Sequence, residues 1–247
     1  MTVQTTACVS GLAGARVGGR AQAQVDDLAE TPAVAGVCMV TGAYPPDISG
    51  GDRQCWTLVQ ALAGAPPCLV LTTTTERALP RLTQTATGTI VRCPVDPRSG
   101  WSKLRAALRM SWSVWRRRRD FSVMQLHGAS QKHWLLVAWA KLLGKRIVWK
   151  MTSAGQDDPQ ALRRGRWGWL TLRLLLQADA IVSINQAFRQ RYLALGLPAM
   201  KLVDIPNGVD TQRFSPSPAA EMADHRRALG LPADAPLVVS VGFFSAD

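Results

Sequence analysis

The sequence has no Cys-x-x-Cys pair, and no His stands at ligand spacing from its five cysteines, Cys8, Cys38, Cys55, Cys68 and Cys93. That argues against a zinc site. The odd count and apolar settings such as Val37-Cys38-Met39 and Pro67-Cys68-Leu69 read as buried free thiols in a reducing compartment. Long apolar runs are also missing. The longest clean one, Trp134–Ala140, has seven residues, against the ~18 needed to span a bilayer. The N-terminus has neither a charged start nor a strong apolar stretch, so no signal peptide is expected. Residues 1–33 are rich in Ala, Gly, Gln and Thr without a sustained period, and read as a disordered extension. Acidic residues are the last shortage: 17 Asp and Glu face 29 Lys and Arg, a net charge of +12.

The rest is ordinary for a folded protein. The 247 residues are 47% apolar and 19% charged, enough for a real core and unlike disordered or collagenous chains. The charge is not spread evenly. Residues 1–97 carry 6 basic and 7 acidic side chains, residues 98–173 carry 17 and 3, and residues 174–247 carry 6 and 7. The middle segment also holds eight of the nine Trp, from Trp101 to Trp169. Such a field seeks phosphate on a nucleotide, a nucleic acid or an anionic lipid. Trp beside Arg suits a membrane surface, and equally a clamp for single-stranded nucleic acid. The plain alternative is wet helix faces with Trp in the core.

From Val34 onward, short β-rich runs alternate with helical patterns, which predicts a parallel sheet with helices on both faces. Strands are expected at Val34–Thr41, Cys68–Thr72, Thr89–Cys93, Phe121–Leu126, Arg146–Met151, Ala180–Ile184, Lys201–Ile205 and Leu237–Val241. Helices are expected from Asp52, and over Ser99–Arg118, Gln131–Leu143, Gln160–Gln177, Gln186–Leu195 and Ala219–Leu229. In the second helix Trp101, Leu104, Leu108, Trp112 and Trp115 form one stripe, expected to pack on the sheet. Lys103, Arg105, Arg109 and Arg116 lie off it.

Five segments carry a family resemblance. They are Tyr44-Pro45-Pro46 with Gly50-Gly51, a strand ending in His127-Gly128, and Ala178-Asp179-Ala180-Ile181-Val182-Ser183. The run Pro206-Asn207-Gly208-Val209-Asp210 to Phe214-Ser215-Pro216 follows, then Leu237-Val238-Val239-Ser240-Val241-Gly242. In this order the chain resembles the N-terminal half of a GT-B glycosyltransferase of glycosyltransferase family 4. Departures are Asn185, where the family often has Ser, and the lack of a His after Met151. The resemblance implies a Rossmann-like N-terminal domain over residues 34–215. It also implies that residues 216–247 are a linker and the first strand of a truncated C-terminal donor domain.

The same resemblance implies the site. Gly50 and Gly51 let backbone approach a ligand beside a helix N-terminus, with Asp52 as the capping carboxylate; the alternative is a plain strand–helix turn. His127 sits at a strand end, where open α/β sheets place ligands. It is the candidate catalytic residue, implied to contact the sugar near the reacting carbon rather than act as general base. Thr152, Gly155, Asn207, Gly208 and Asp210 are implied to line the cleft, the last three mainly by shaping a loop. Asp157 and Asp158 are weighed as a metal or acceptor pair, and loop or cap roles are preferred. The reading expects no metal and no cofactor beyond a nucleotide-diphospho-sugar donor substrate.

The expected activity is therefore a retaining hexosyl transfer to a lipid-linked glycan acceptor, in cell-surface polysaccharide synthesis. Lys103, Arg105, Arg109, Arg116, Arg117, Arg118 and Arg119 are expected to face an anionic membrane at the cytoplasmic surface. The rivals are a basic nucleic-acid-binding α/β module and a non-catalytic membrane-associated remnant. Nucleic acid is not expected, because the Trp residues keep to one stripe.

Overall fold

The computed structural model describes residues 36–47, 50–62, 67–153, 155, 157–232 and 235–239. The chain divides into two compact units, residues 1–207 and 208–247. The expected extension at residues 1–33 lies outside the described residues.

The first unit is built on an eight-stranded sheet. In chain order its elements are β1 (Val37–Thr41), α1 (Gly50–Ala61), β2 (Cys68–Thr74), β3 (Leu82–Thr85), β4 (Gly88–Pro94), α2 (Gly100–Arg116), β5 (Val123–His127), α3 (His133–Leu142), β6 (Arg146–Lys150), α4 (Pro159–Arg164), α5 (Gly168–Leu175), β7 (Ala180–Ser183), α6 (Gln186–Leu193) and β8 (Leu202–Asp204). The strand order is β3-β4-β2-β1-β5-β6-β7-β8. All described pairings are parallel except β3 with β4.

Each face of the sheet has its own core. On β1 and β2, Cys38, Val40, Leu69 and Leu71 pack with Ala106, Met110 and Val114 of α2 and Leu136 and Val137 of α3. The alternate residues Met39, Cys68 and Val70 pack with Cys55 and Val59 of α1. This is the period-two division of a strand buried on both faces. From β1 the chain steps to β2 on one side, and from β4 it returns to β5 on the other. The reversal puts the C-terminal ends of β1 and β5 side by side, where open α/β sheets bind ligands.

Three expectations are corrected. The helix expected over 160–177 is two helices, because α4 ends at Gly165 in extended backbone and α5 begins at Gly168. The antiparallel strand β3 was not expected; its four residues, Leu-Thr-Gln-Thr, hold a single large apolar side chain, and Leu82 is exposed. The third correction concerns α2. Its buried face is Ala106, Ala107, Met110, Ser111 and Val114. The stripe of Trp101, Leu104, Leu108, Trp112 and Trp115 is exposed, with Trp112 at 59%. Two alanines let the helix axis lie close to the sheet, and the large side chains are left outside. Trp112 and Trp115 stack on each other at 5.0 Å, and Arg118 lies over Trp115 at 4.9 Å.

In the second unit, α7 spans Ala219–Ala228. Leu237–Val239 are exposed and have no strand partner among the described residues; the rest of the strand expected there lies outside them. No helix among the described residues is long and apolar enough to cross a membrane.

Candidate functional site

The ends of β1, β5 and β6 and the first turn of α1 meet in one polar cluster. Helix α1 starts at Gly50, two residues before the expected cap, so Gly50, Gly51 and Asp52 all lie in its first turn. Asp52 is buried. Its carboxylate accepts the Thr41 hydroxyl at 2.5 Å and the Gly42 N–H at 3.0 Å. It therefore ties the helix to the end of β1 rather than capping the helix alone. Gly51 rests against the loop after β6, where an added Cβ would lie 3.2 Å from the Thr152 Cβ.

His127 ends β5 and is buried. Its Nε2 lies 3.1 Å from Gln125 Nε2, and its Nδ1 has no hydrogen-bond partner. Burial, with the charge of Lys150 adding to it, lowers its pKa to about 4, so the ring is neutral near pH 7. Gly128 follows at φ +73°, a region that L side chains rarely adopt; a Cβ there would be 2.9 Å from Asp157 Oδ2. His133, the first residue of α3, is fully enclosed with both ring nitrogens unpartnered. Burial drives its pKa well below the ordinary value.

The loop after β6 is organised by Asp157 and Asp158. Asp157 accepts the Thr152 N–H and hydroxyl at 2.9 and 2.6 Å and the Ser153 N–H at 2.7 Å. Burial raises its pKa against those bonds. Asp158 caps α4 through the N–H groups of Gln160 and Ala161, accepts the Gly155 N–H at 2.6 Å, and pairs with Arg191 at 2.8 Å. Burial pushes its carboxyl up, but those N–H groups and the guanidinium prevail and hold it below its ordinary value. Among the described residues no group of three or more His, Cys, Asp or Glu is placed to hold a metal ion.

The structure thus brings together Gly50, Gly51, Asp52, His127 and Thr152, with Gly155 tied in through Asp158. Asn207, Gly208 and Asp210 are exposed. Asp210, in the second unit, accepts the N–H groups of Gln212 and Arg213 and makes a local turn. Two cations were missed in the sequence. Lys132 is half-buried and donates to the Thr41 carbonyl at 3.0 Å; desolvation of its amine lowers the pKa to about 8. Lys150 ends β6, donates to Gln54 Oε1 at 3.0 Å, and is lowered by burial. The only available signal was for Lys150, a charged residue closing the apolar run Ile147–Trp149.

The family model of the glycosyl transferase 4-like domain matches residues 49–208, a span that holds every element of the sheet domain from α1 to β8. The chain belongs to this family. Within the glycosyl transferase 4-like domain, the Asp179 of the Ala-Asp-Ala motif has a visible task. It accepts the Ile147 N–H at 2.7 Å and pairs with Lys141 at 3.1 Å, joining β6, α3 and β7. Asn185, where the family often has Ser, caps α6 by accepting the Phe188 N–H at 3.0 Å.

Solved structures share the fold. HepE from Anabaena, determined in complex with UDP and glucose, is 14% identical with a TM-score of 0.54, over 79% of this chain and 50% of that one. Sucrose-phosphate synthase from Thermosynechococcus elongatus is 16% identical with a TM-score of 0.57, over 81% and 54%. UDP-N-acetylglucosamine 2-epimerase from Rickettsia bellii is 12% identical with a TM-score of 0.51, over 80% and 51%. The chain spans about half the length of these proteins. The Rossmann-like α/β sheet of a GT-B N-terminal half is the fold they have in common. No curated protein sequence matches the chain.

Proposed function

We propose that this chain is the acceptor-binding half of a nucleotide-sugar-dependent glycosyltransferase. The reading rests on one observation above others: a neutral His127 with an unpartnered Nδ1 at the strand ends where the sheet order reverses. A neutral imidazole there hydrogen-bonds a sugar hydroxyl without competing for the leaving group's charge. Lys132 and Lys150 give the same strand ends a positive potential that suits a diphosphate. The first turn of α1 adds N–H donors at Gly50 and Gly51.

In the proposed retaining transfer, the acceptor oxygen bonds to the anomeric carbon as the bond from that carbon to the phosphate oxygen breaks. The acceptor proton passes to the departing phosphate oxygen. His127 orients the sugar in this scheme and carries no proton. The donor is a hexosyl nucleotide diphosphate and the acceptor a lipid-linked glycan of cell-surface polysaccharide synthesis. The chain works as a peripheral protein at the cytoplasmic face of the membrane. Support for the last point is the exposed Trp–Leu stripe of α2, flanked by Arg105, Arg109 and Arg116. Each basic residue near an anionic surface contributes about 1 kcal/mol.

Exposure of the stripe also removes the argument that its tryptophans are unavailable to bases. The membrane reading is preferred because Leu104 and Leu108 run continuously with the tryptophans, as insertion into an apolar phase requires. Two titrations of the whole chain test these readings. A polyprenyl-diphosphate glycan in detergent micelles should bind saturably, and His127→Ala should weaken it about ten-fold, the effect of a lost buried hydrogen bond. Binding that ignores His127 would sink the site assignment. Anionic vesicles should bind more tightly than a short single-stranded DNA; the reverse order, with steep salt dependence, would replace the membrane by nucleic acid.

A further inference from the structure

Helix α2 and the β3–β4 edge enclose a groove of about 640 Å³ that the strand-end site does not use. Its apolar lining includes Leu82 of β3 and Leu108 and Trp112 of α2. Arg81, Arg105 and Arg109 line it as well, and the same three line an adjoining depression of about 290 Å³. None of the three has an ion pair or a side-chain hydrogen bond among the described residues. No carboxylate lines the groove. Asp96 of the adjoining depression is engaged with the Arg98 N–H. Arg92, also in the groove wall, has a buried Nε with no partner. Burial raises the pKa of Cys93, also in the groove wall, and the charges of Arg109, Lys132 and Arg81 oppose that rise.

Guanidinium groups that share a groove repel each other, and with no carboxylate in the groove and no ion pair to any of the three an outside anion relieves them. Guanidinium matches phosphate best, because its fork pairs with two oxygens at once. A free anion would leave the apolar lining in water, whereas hydrocarbon would cover it. The exposed stripe of α2 continues directly from Leu108 and Trp112, so a molecule in the groove lies level with that stripe. We propose that the groove binds one phosphate-bearing lipid, with the headgroup on Arg81, Arg105 and Arg109 and hydrocarbon along Leu82, Leu108 and Trp112. The site rests on the membrane reading above and deepens it, from general attraction to a discrete lipid site.

The test uses the whole chain, dihexanoyl phosphatidic acid below its aggregation threshold, inorganic phosphate, and vesicles with and without phosphatidic acid. The variant R81Q/R105Q/R109Q is compared with R98Q/R146Q/R164Q, which removes the same formal charge from exposed positions away from the groove. Arg81 and Arg105 are exposed, and melting curves are to be recorded to check that both variants fold. The wild-type chain should bind the soluble lipid at one molecule per chain. The groove variant should weaken it about ten-fold or more, and the off-groove variant about two-fold or less. Equal losses in both variants, or inorganic phosphate binding as tightly as the lipid, would overturn the site. Soluble-lipid binding without any preference for anionic vesicles would sink the membrane reading and leave the lipid site standing.

Discussion

Asp52 was expected to cap a helix, and its carboxylate also holds two groups at the end of the neighbouring strand, the Thr41 hydroxyl and the Gly42 N–H. Asp52→Ala removes the acceptor and leaves both donors, so unfolding in urea should show a loss of about 1–3 kcal/mol. The histidines make a pH prediction. His127 and His133 are lowered by burial, with Lys150 acting on the first and Lys132 and His127 on the second, while Asp52 opposes the shift at His127. Below the ordinary value of 6.5 the unfolded chain therefore binds protons that the folded chain refuses. Stability should fall as pH drops from 6.5 towards 4, by up to about 1.4 kcal/mol per pH unit for each histidine. His133→Phe should flatten that slope in urea titrations; an unchanged slope would contradict the buried neutral state. Residue identity showed His127 as special because it stands before Gly128 at a strand end. Nothing similar marked His133 or Lys132, because their burial depends on how α3 seats against β1.

At the scale of the element, α2 carries the main lesson. A 3.6-residue period shows that a helix has two faces, but two sets of residues shared that period. One was Trp101, Leu104, Leu108, Trp112 and Trp115; the other was Ala106, Ala107, Met110 and Val114. Hydrophobicity favoured the first, and close packing on the sheet selected the second. Met110→Ala should accordingly cost about 2–4 kcal/mol in thermal or urea unfolding. The double change L108S/W112S should stay within about 0.5 kcal/mol of wild type yet lose vesicle partitioning in a sedimentation assay. A large loss of stability in that double variant would put the stripe back in the core. Strand β3 escaped notice for a related reason. Its pairing to β4, reinforced by Arg92 donating to Thr83 at 2.8 Å, is long-range information absent from four polar-leaning residues.

At the scale of the molecule, the matched family domain and the structural neighbours cover one Rossmann-like sheet, about half of each solved protein. We expect the 247-residue chain alone to release UDP from UDP-glucose no faster than background, with or without acceptor micelles, in a coupled assay. Turnover at an ordinary enzymatic rate would contradict the proposal that this chain is the acceptor half. The alternation of β-rich runs and amphipathic segments determined the α/β class and nearly every strand, because strand burial on two faces writes itself into local composition. Ordered short motifs determined the family, and charge counting placed the positive field between residues 98 and 173. The tertiary structure decided which face of α2 meets water, where the helix after Asp158 breaks, and which buried groups gather at the strand ends. Those outcomes depend on contacts between residues far apart in the chain, such as Lys132 with Thr41 and Gly51 with Thr152. Periodicity within one segment holds no information about its neighbours in space.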